Sequence, residues 1–182
     1  MSILLSKLVF TAPEQDYKFM AKQLLGEEVK AYGNAQYAEL AVLLAAVRTL
    51  SFIHQQNHWC AKGKEYYGDH LLFMRLYETV DKEIDILAEK IVGLSSEGFV
   101  LLRSQCKHMH AFVELMGEEL SDTSKGYKTS FQAELIFAAL ISEVFTILEQ
   151  SGLLTPGLEQ CLGTIMDTHE GNVYLLKQRY QA

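Results

Sequence analysis

Proline, paired cysteine, long apolar runs and excess positive charge are all scarce in this chain, and each shortage removes a class of answers. Only two prolines occur in 182 residues, Pro13 and Pro156. Both sit where a helix would begin, because a first helical turn leaves its N–H groups unused. The three cysteines, Cys60, Cys106 and Cys161, are isolated and form no CxxC. That argues against a disulfide framework and for reduced thiols in a cytoplasmic setting. The uninterrupted apolar runs, Leu40–Val47 and Leu135–Ile141, fall far short of the ~20 residues a membrane helix needs. The expectation is a soluble protein that spans no membrane. The opening MSILLSKLVFTAP lacks a charged leading region, is broken by Lys7 and shows no small-residue cleavage site, so it does not read as a signal peptide. Net charge is −7 and the calculated pI is about 5.4, the wrong balance for wrapping a polyanion. Lys7, Lys18 and Lys22 are too dispersed to form a basic arm. No tight DNA binding is expected at physiological salt. Also missing are GxSxG, HExxH, a phosphate loop, a Cys/His dyad and any hairpin signal between β-branched runs.

What remains is a helical pattern. Hydrophobic residues make up 49% and charged residues 21%, an ordinary globular balance, and the length suits one domain over 1–182. An amphipathic piece follows Pro13 and ends at Tyr32-Gly33-Asn34. A second helix is expected from Ala35 to about Asn57, with Leu40, Leu43, Leu44, Val47 and Leu50 on one side. A third runs from Tyr67 to Leu94. Its residues Phe73, Tyr77, Val80, Ile84, Leu87, Ile91 and Leu94 alternate spacings of four and three, which is a bundle seam. A shorter helix is expected over Phe99–Leu120, then a loop from Ser121 to Gly126. A fourth long helix covers Thr129–Gln150, and a last one opens at Thr155-Pro156, with Thr155 as cap, and reaches Tyr180. The architecture is all-α: four long helices over 35–180, a short helix between the second and third of them, and an N-terminal helical extension over 1–34.

His58, His70, Asp85 and Glu89 are the candidate metal ligands. Two imidazoles and two carboxylates suit iron, manganese or zinc. His70 and Asp85 lie 15 residues apart on one helix, a rise of ~22 Å, so no single ion reaches both. One ion can use all four only if the histidines come from one subunit and the carboxylates from a two-fold partner. On the third helix His70, Met74, Asp81, Asp85 and Glu89 flank the apolar seam, where a neighbouring subunit could pack. Acidic residues in such positions are more often a solvated face, and a histidine before a tryptophan more often packs. Elsewhere, Lys107-His108-Met109-His110 reads as surface or interface, Glu143 as the edge of its helix, and His169-Glu170 as polar surface. Trp59 either supplies an electron to nearby iron or only packs.

Three segments carry a resemblance: His58-Trp59-Cys60-Ala61-Lys62-Gly63, Asp69-His70, and Asp85-Ile86-Leu87-Ala88-Glu89-Lys90. Together they resemble the core signature of the Dps family, the mini-ferritins. That signature runs His-Trp, a basic-Gly turn, a helix-opening His, then Asp-x-x-x-Glu. The likeness continues less strongly through Lys125-Gly126-Tyr127 and from Asp167-Thr168-His169 to Lys177, covering most of 35–180. It implies a ferritin-like four-helix bundle, two-fold dimers assembled into a shell of twelve subunits, and oxidation of Fe(II) by peroxide or dioxygen with storage of ferric iron. His58 and His70 would match the family's paired histidines, and Asp85 and Glu89 its carboxylates from the partner subunit. The sequence departs from the pattern in several places. Met74 stands where the family has an acidic ligand one turn after the second histidine, and a thioether suits hard iron poorly. The turn Ser151–Gly157 lacks the acidic residues that often line the pores through which iron enters. Lys90 replaces the usual arginine, keeping the charge without the planar fork. The region 95–124 is longer than the usual connection, and the extension before residue 34 has no clear counterpart. Two alternatives stay open: a structural or interaction protein with a degraded site, and a mononuclear zinc or manganese binder using the same four residues.

Overall fold

Residues 14–181 are described by the structure, a computed structural model, and they form six α-helices with no strand among them. They are α1 (Glu14–Glu28), α2 (Ala38–Cys60), α3 (Tyr66–Leu94), α4 (Leu102–Met116), α5 (Gly126–Gln150) and α6 (Pro156–Gln181). Short 3₁₀ turns occupy Val29–Tyr32, Glu97–Phe99, Gly117–Ser121 and Thr123–Lys125. The opening apolar stretch and Pro13 lie outside the described residues. Pro156 and Thr155 behave as expected: Thr155 Oγ1 accepts from the Leu158 N–H at 3.2 Å, which satisfies one open donor of the first turn.

Two helices are buried nearly all round. Every residue from Leu40 to Val47 on α2 and from Ala133 to Ile141 on α5 is buried, because α2 is packed by α3, α4 and α5, and α5 also by α1 and α6. By length and composition Ala38–Cys60 and Thr123–Gln150 could each cross a membrane. Here their apolar surface is taken up by the neighbouring helices, as in the centre of a helical bundle. The N-terminal extension is part of that packing. Ala21, Leu24 and Leu25 of α1 join the main core.

The buried stripe of α3 is Phe73, Leu76, Val80, Glu83, Leu87 and Ile91, one residue out of phase with the expected seam at two positions. Tyr77 and Ile84 are only half-buried, and Leu76 and Glu83 take the central places. Hydrophobicity alone passes over position 83 because it holds a carboxylate. The region before α5 also differs from the expected short helix over Phe99–Leu120 and loop from Ser121 to Gly126: the helix covers only Leu102–Met116, and 3₁₀ turns take up much of the rest. Gly117, at φ 65°, stops α4 at Met116 because L-residues avoid that conformation.

Helix α5 starts at Gly126, three residues earlier than expected, and a side chain explains it. Asn57 Nδ2 donates to the Gly126 carbonyl at 2.8 Å and lies within 3.1 Å of Thr129 Oγ1 and 2.8 Å of Ser130 Oγ. A Cβ on Gly126 would sit 3.0 Å from Asn57 Oδ1 and 3.1 Å from its Cγ. Gly126→Ala is therefore expected to destabilise by about 1–3 kcal/mol, as overpacking does, despite alanine's better helix propensity. Thermal denaturation checks this; an unchanged or higher melting temperature would mean that Asn57 yields.

Candidate metal centre

His58 lies in the last turn of α2 and His70 in the first turns of α3, on either side of the 61–65 connection, so a tight helical corner brings them together. Their rings stack with centroids 3.8 Å apart and planes 23° apart. His58 Nδ1 lies 2.8 Å from the His70 carbonyl oxygen, and His70 Nδ1 lies 3.1 Å from that of His58. A carbonyl only accepts, so each Nδ1 carries the proton and donates. In the neutral rings both Nε2 lone pairs are then left for a ligand. Donation from one ring nitrogen to a backbone carbonyl is the usual outer support of a metal-bound histidine. Tyr77 packs edge-on to His58 with centroids 5.4 Å apart, and Tyr66 lies 5.2 Å from the His70 ring. Asp69, next to His70, takes a two-pronged bond from Arg179 of α6, at 2.6 and 3.2 Å. That fork fixes the start of α3.

Asp85 and Glu89 stand far along the same helix and are exposed. Among the described residues no three His, Cys, Asp or Glu side chains of one chain are grouped to hold a metal ion. The chain thus joins the two histidines and keeps the two carboxylates apart from them. Met74 is half-buried, and Glu78 and Asp81, the nearest carboxylates that could replace its missing oxygen, are exposed. Asp81 already accepts from Ser51 Oγ at 2.7 Å. Trp59 does not pack into the core: it is 71% exposed, with Phe52 one helical repeat earlier at 57% and Ile86 beside Asp85 at 53%. Large apolar side chains therefore accompany both halves of the candidate ligand set at the surface.

A second cluster was not legible as a site. His169, expected at the polar surface, is fully buried, as are His54 and Glu134. One ionisable side chain comes from each of four helices: His54 of α2, Glu83 of α3, Glu134 of α5 and His169 of α6. His54 Nε2 donates to Glu134 Oε1 at 2.9 Å, His169 Nδ1 to Glu134 Oε2 at 2.5 Å, and His169 Nε2 to Glu83 Oε2 at 2.8 Å. Asn172 Nδ2 adds a bond to Glu134 Oε1 at 3.0 Å, and Ser130 Oγ meets His54 Nδ1 at 3.0 Å. Burial opposes charge on both central groups, but their mutual attraction wins. Burial would raise Glu134, yet the charge and hydrogen bond of His169, then those of His54, hold it at about 2. Burial would lower His169, yet Glu134 first and Glu83 second push it up to about 10. His169 is thus an imidazolium between two carboxylates that approach opposite edges of its ring. With both nitrogens donating, it has no lone pair for a metal.

His108 is likewise buried and not a surface residue. Its Nδ1 donates to Glu28 Oε2 at 2.5 Å, and its Nε2 lies 2.7 Å from the Tyr32 hydroxyl, itself 2.6 Å from Ser104 Oγ. These bonds tie the end of α1 and its following turn to α4. His110, two residues on, is exposed, as opposite faces of a helix require. Glu143 is half-buried at the edge of α5, 3.7 Å from Lys22 Nζ.

No protein-family model matches the chain, and no curated protein matches it.

Proposed function

We propose that this chain is an iron-oxidising, iron-storing protein of the Dps type, whose metal centre is shared between two subunits. The reading rests chiefly on the reciprocal His58–His70 lock. Each imidazole is fixed in the tautomer that leaves Nε2 available, and the two rings lie against each other at one helical corner. Asp85 and Glu89 of the partner subunit would complete the set, since the ~22 Å rise along α3 denies them to the histidines of their own chain. Two imidazoles and two carboxylates give ferrous iron a mixed nitrogen and oxygen environment. The carboxylates stabilise the added positive charge when the ion becomes ferric. The neutral imidazoles limit how tightly the product is held. Fe(II) is the substrate, peroxide or dioxygen the oxidant, and a shell of such dimers the place where ferric oxide collects.

Anaerobic titration with Fe(II), counting ions per subunit and then adding peroxide, tests this directly. Bound iron that is rapidly oxidised is the expected result. An unreactive ion would make the chain a metal binder, with zinc or manganese as candidates, and no bound ion would leave a structural assembly. Met74 bears on the count. Met74→Glu restores an oxygen donor one turn after His70, so bound Fe(II) or the initial oxidation rate should rise, at some loss of stability from a half-buried charge. Unchanged stoichiometry and rate in a folded variant would mean that another group already fills the place, or that iron is not the substrate.

A further inference from the structure

We infer that Cys106, Met109 and His110 of α4 form a binding site for a soft monovalent metal ion, copper(I), in the groove between α4 and α2. The three residues stand at i, i+3 and i+4, the spacing at which helical side chains are neighbours, with about 5–6 Å between Cβ atoms. All three line one groove of about 470 Å³. Cys106 and His110 are exposed and Met109 is half-buried, so an ion from solvent reaches the donors without any helix moving. His108 lies between them in sequence but is held inward by Glu28 and Tyr32, which leaves His110 outside that network. Among the described residues Cys106 and His110 have no hydrogen-bond or ion-pair partner, so binding breaks no existing bond. Gln56 Nε2 donates to the Leu120 carbonyl at 2.8 Å. Both residues line the groove, and their bond ties the chain beyond α4 back to α2.

The donor set decides the metal. A thiolate, a thioether and an imidazole together favour copper(I). No carboxylate lines the groove, so a hard ion lacks the oxygens it prefers. Zinc would accept the thiolate and the imidazole, but it gains little from a thioether and calls for a fourth ligand. Charge points the same way. One thiolate cancels one copper(I), and the neutral unit can lie against Phe52, Ile53 and Val113. A divalent ion would leave a positive charge beside those apolar walls. Binding is an exchange of a proton for the metal: the Cys106 S–H bond breaks, Sγ bonds to copper, the proton passes to solvent, and no electron moves. None of His58, His70, Asp85 and Glu89 lines this groove, so the copper site and the iron reading stand or fall separately.

The intact chain, reduced and kept anaerobic, is titrated against copper(I) held by bicinchoninate, whose colour fades as copper is withdrawn. One copper per chain should be withdrawn, in a step that Cys106→Ser, His110→Ala and Met109→Leu each weaken at least ~tenfold, the loss that even an outer-shell partner causes. Cys106 and His110 are exposed and Met109→Leu conserves volume, so the three variants should keep the fold, which circular dichroism checks. X-ray absorption at the copper edge should show two sulfurs and one imidazole nitrogen, with one sulfur left in Met109→Leu. Cys60→Ser, Cys161→Ser and the double substitution His58→Ala, His70→Ala should leave the step unchanged. No withdrawal of copper would overturn the site, as would a step that persists undiminished in Cys106→Ser or His110→Ala. A sulfur count that Met109→Leu does not alter would remove the thioether, and with it the assignment to copper(I).

Discussion

His169→Leu is expected to remove about 3–5 kcal/mol of stability, the usual loss when one partner of a buried ion pair is deleted. The substitution leaves Glu134 fully buried and Glu83 nearly so with no imidazolium between them, and leucine offers neither a charge nor a donor. Against a total of about 5–15 kcal/mol for an ordinary domain, that is a large fraction, so the urea midpoint should fall steeply. A loss under about 1 kcal/mol, typical of an ordinary point substitution, would contradict the network as drawn. The same groups give the fold a pH signature. His169 is raised from 6.5 to about 10, so its contribution is complete below pH 6.5 and is lost as pH climbs through 10. Glu134 is lowered from 4.5 to about 2, so its contribution is complete above pH 4.5 and is lost as pH falls towards 2. These two terms place their combined maximum between pH 4.5 and 6.5, with a decline on both sides. Glu134→Gln keeps the side chain's shape while removing the acidic limb and most of what raises His169. A melting-temperature scan of that variant should be flatter than that of the unaltered chain. An equally steep alkaline decline would assign it to other groups.

Much of this arrangement is legible in the sequence. Helix α3 was placed to within a residue at its start, because a proline-free run with alternating apolar spacings has few other solutions, and Thr155-Pro156 marked the last helix by cap chemistry. The ~22 Å rise separated His70 from Asp85 by arithmetic alone. What escaped was what three-dimensional packing decides. Glu83 sits in the middle of the α3 seam, and a seam read from hydrophobicity slides past a carboxylate to Tyr77 and Ile84. His54, Glu134 and His169 are 35 to 115 residues apart in sequence, and none carries a spacing that announces a common centre. One signal was available: Glu134 stands immediately before the apolar run of α5, and a carboxylate in an otherwise buried stretch calls for a partner. His108 was hidden the same way, since its partners Glu28 and Tyr32 come from the extension that had no counterpart in the Dps pattern. Gly126 looked like loop because its reason for being glycine is the Asn57 side chain on another helix.

The proposed sharing of one metal site between two subunits is tested most directly with mixed subunits. One form carries His58→Ala and His70→Ala, the other Asp85→Ala and Glu89→Ala, each with its own tag. Every two-fold interface within either form alone lacks half of its ligands, so neither should bind Fe(II) at the site. In a mixed dimer the carboxylates of the first form face the histidines of the second, so one complete site is rebuilt while the other loses all four residues. The two forms, refolded together and purified through both tags, should recover Fe(II) binding at up to half of the sites in mixed dimers. Tandem-purified mixed dimers that bind no metal would contradict the account, because the histidines of one chain and the carboxylates of its partner would then never share an ion.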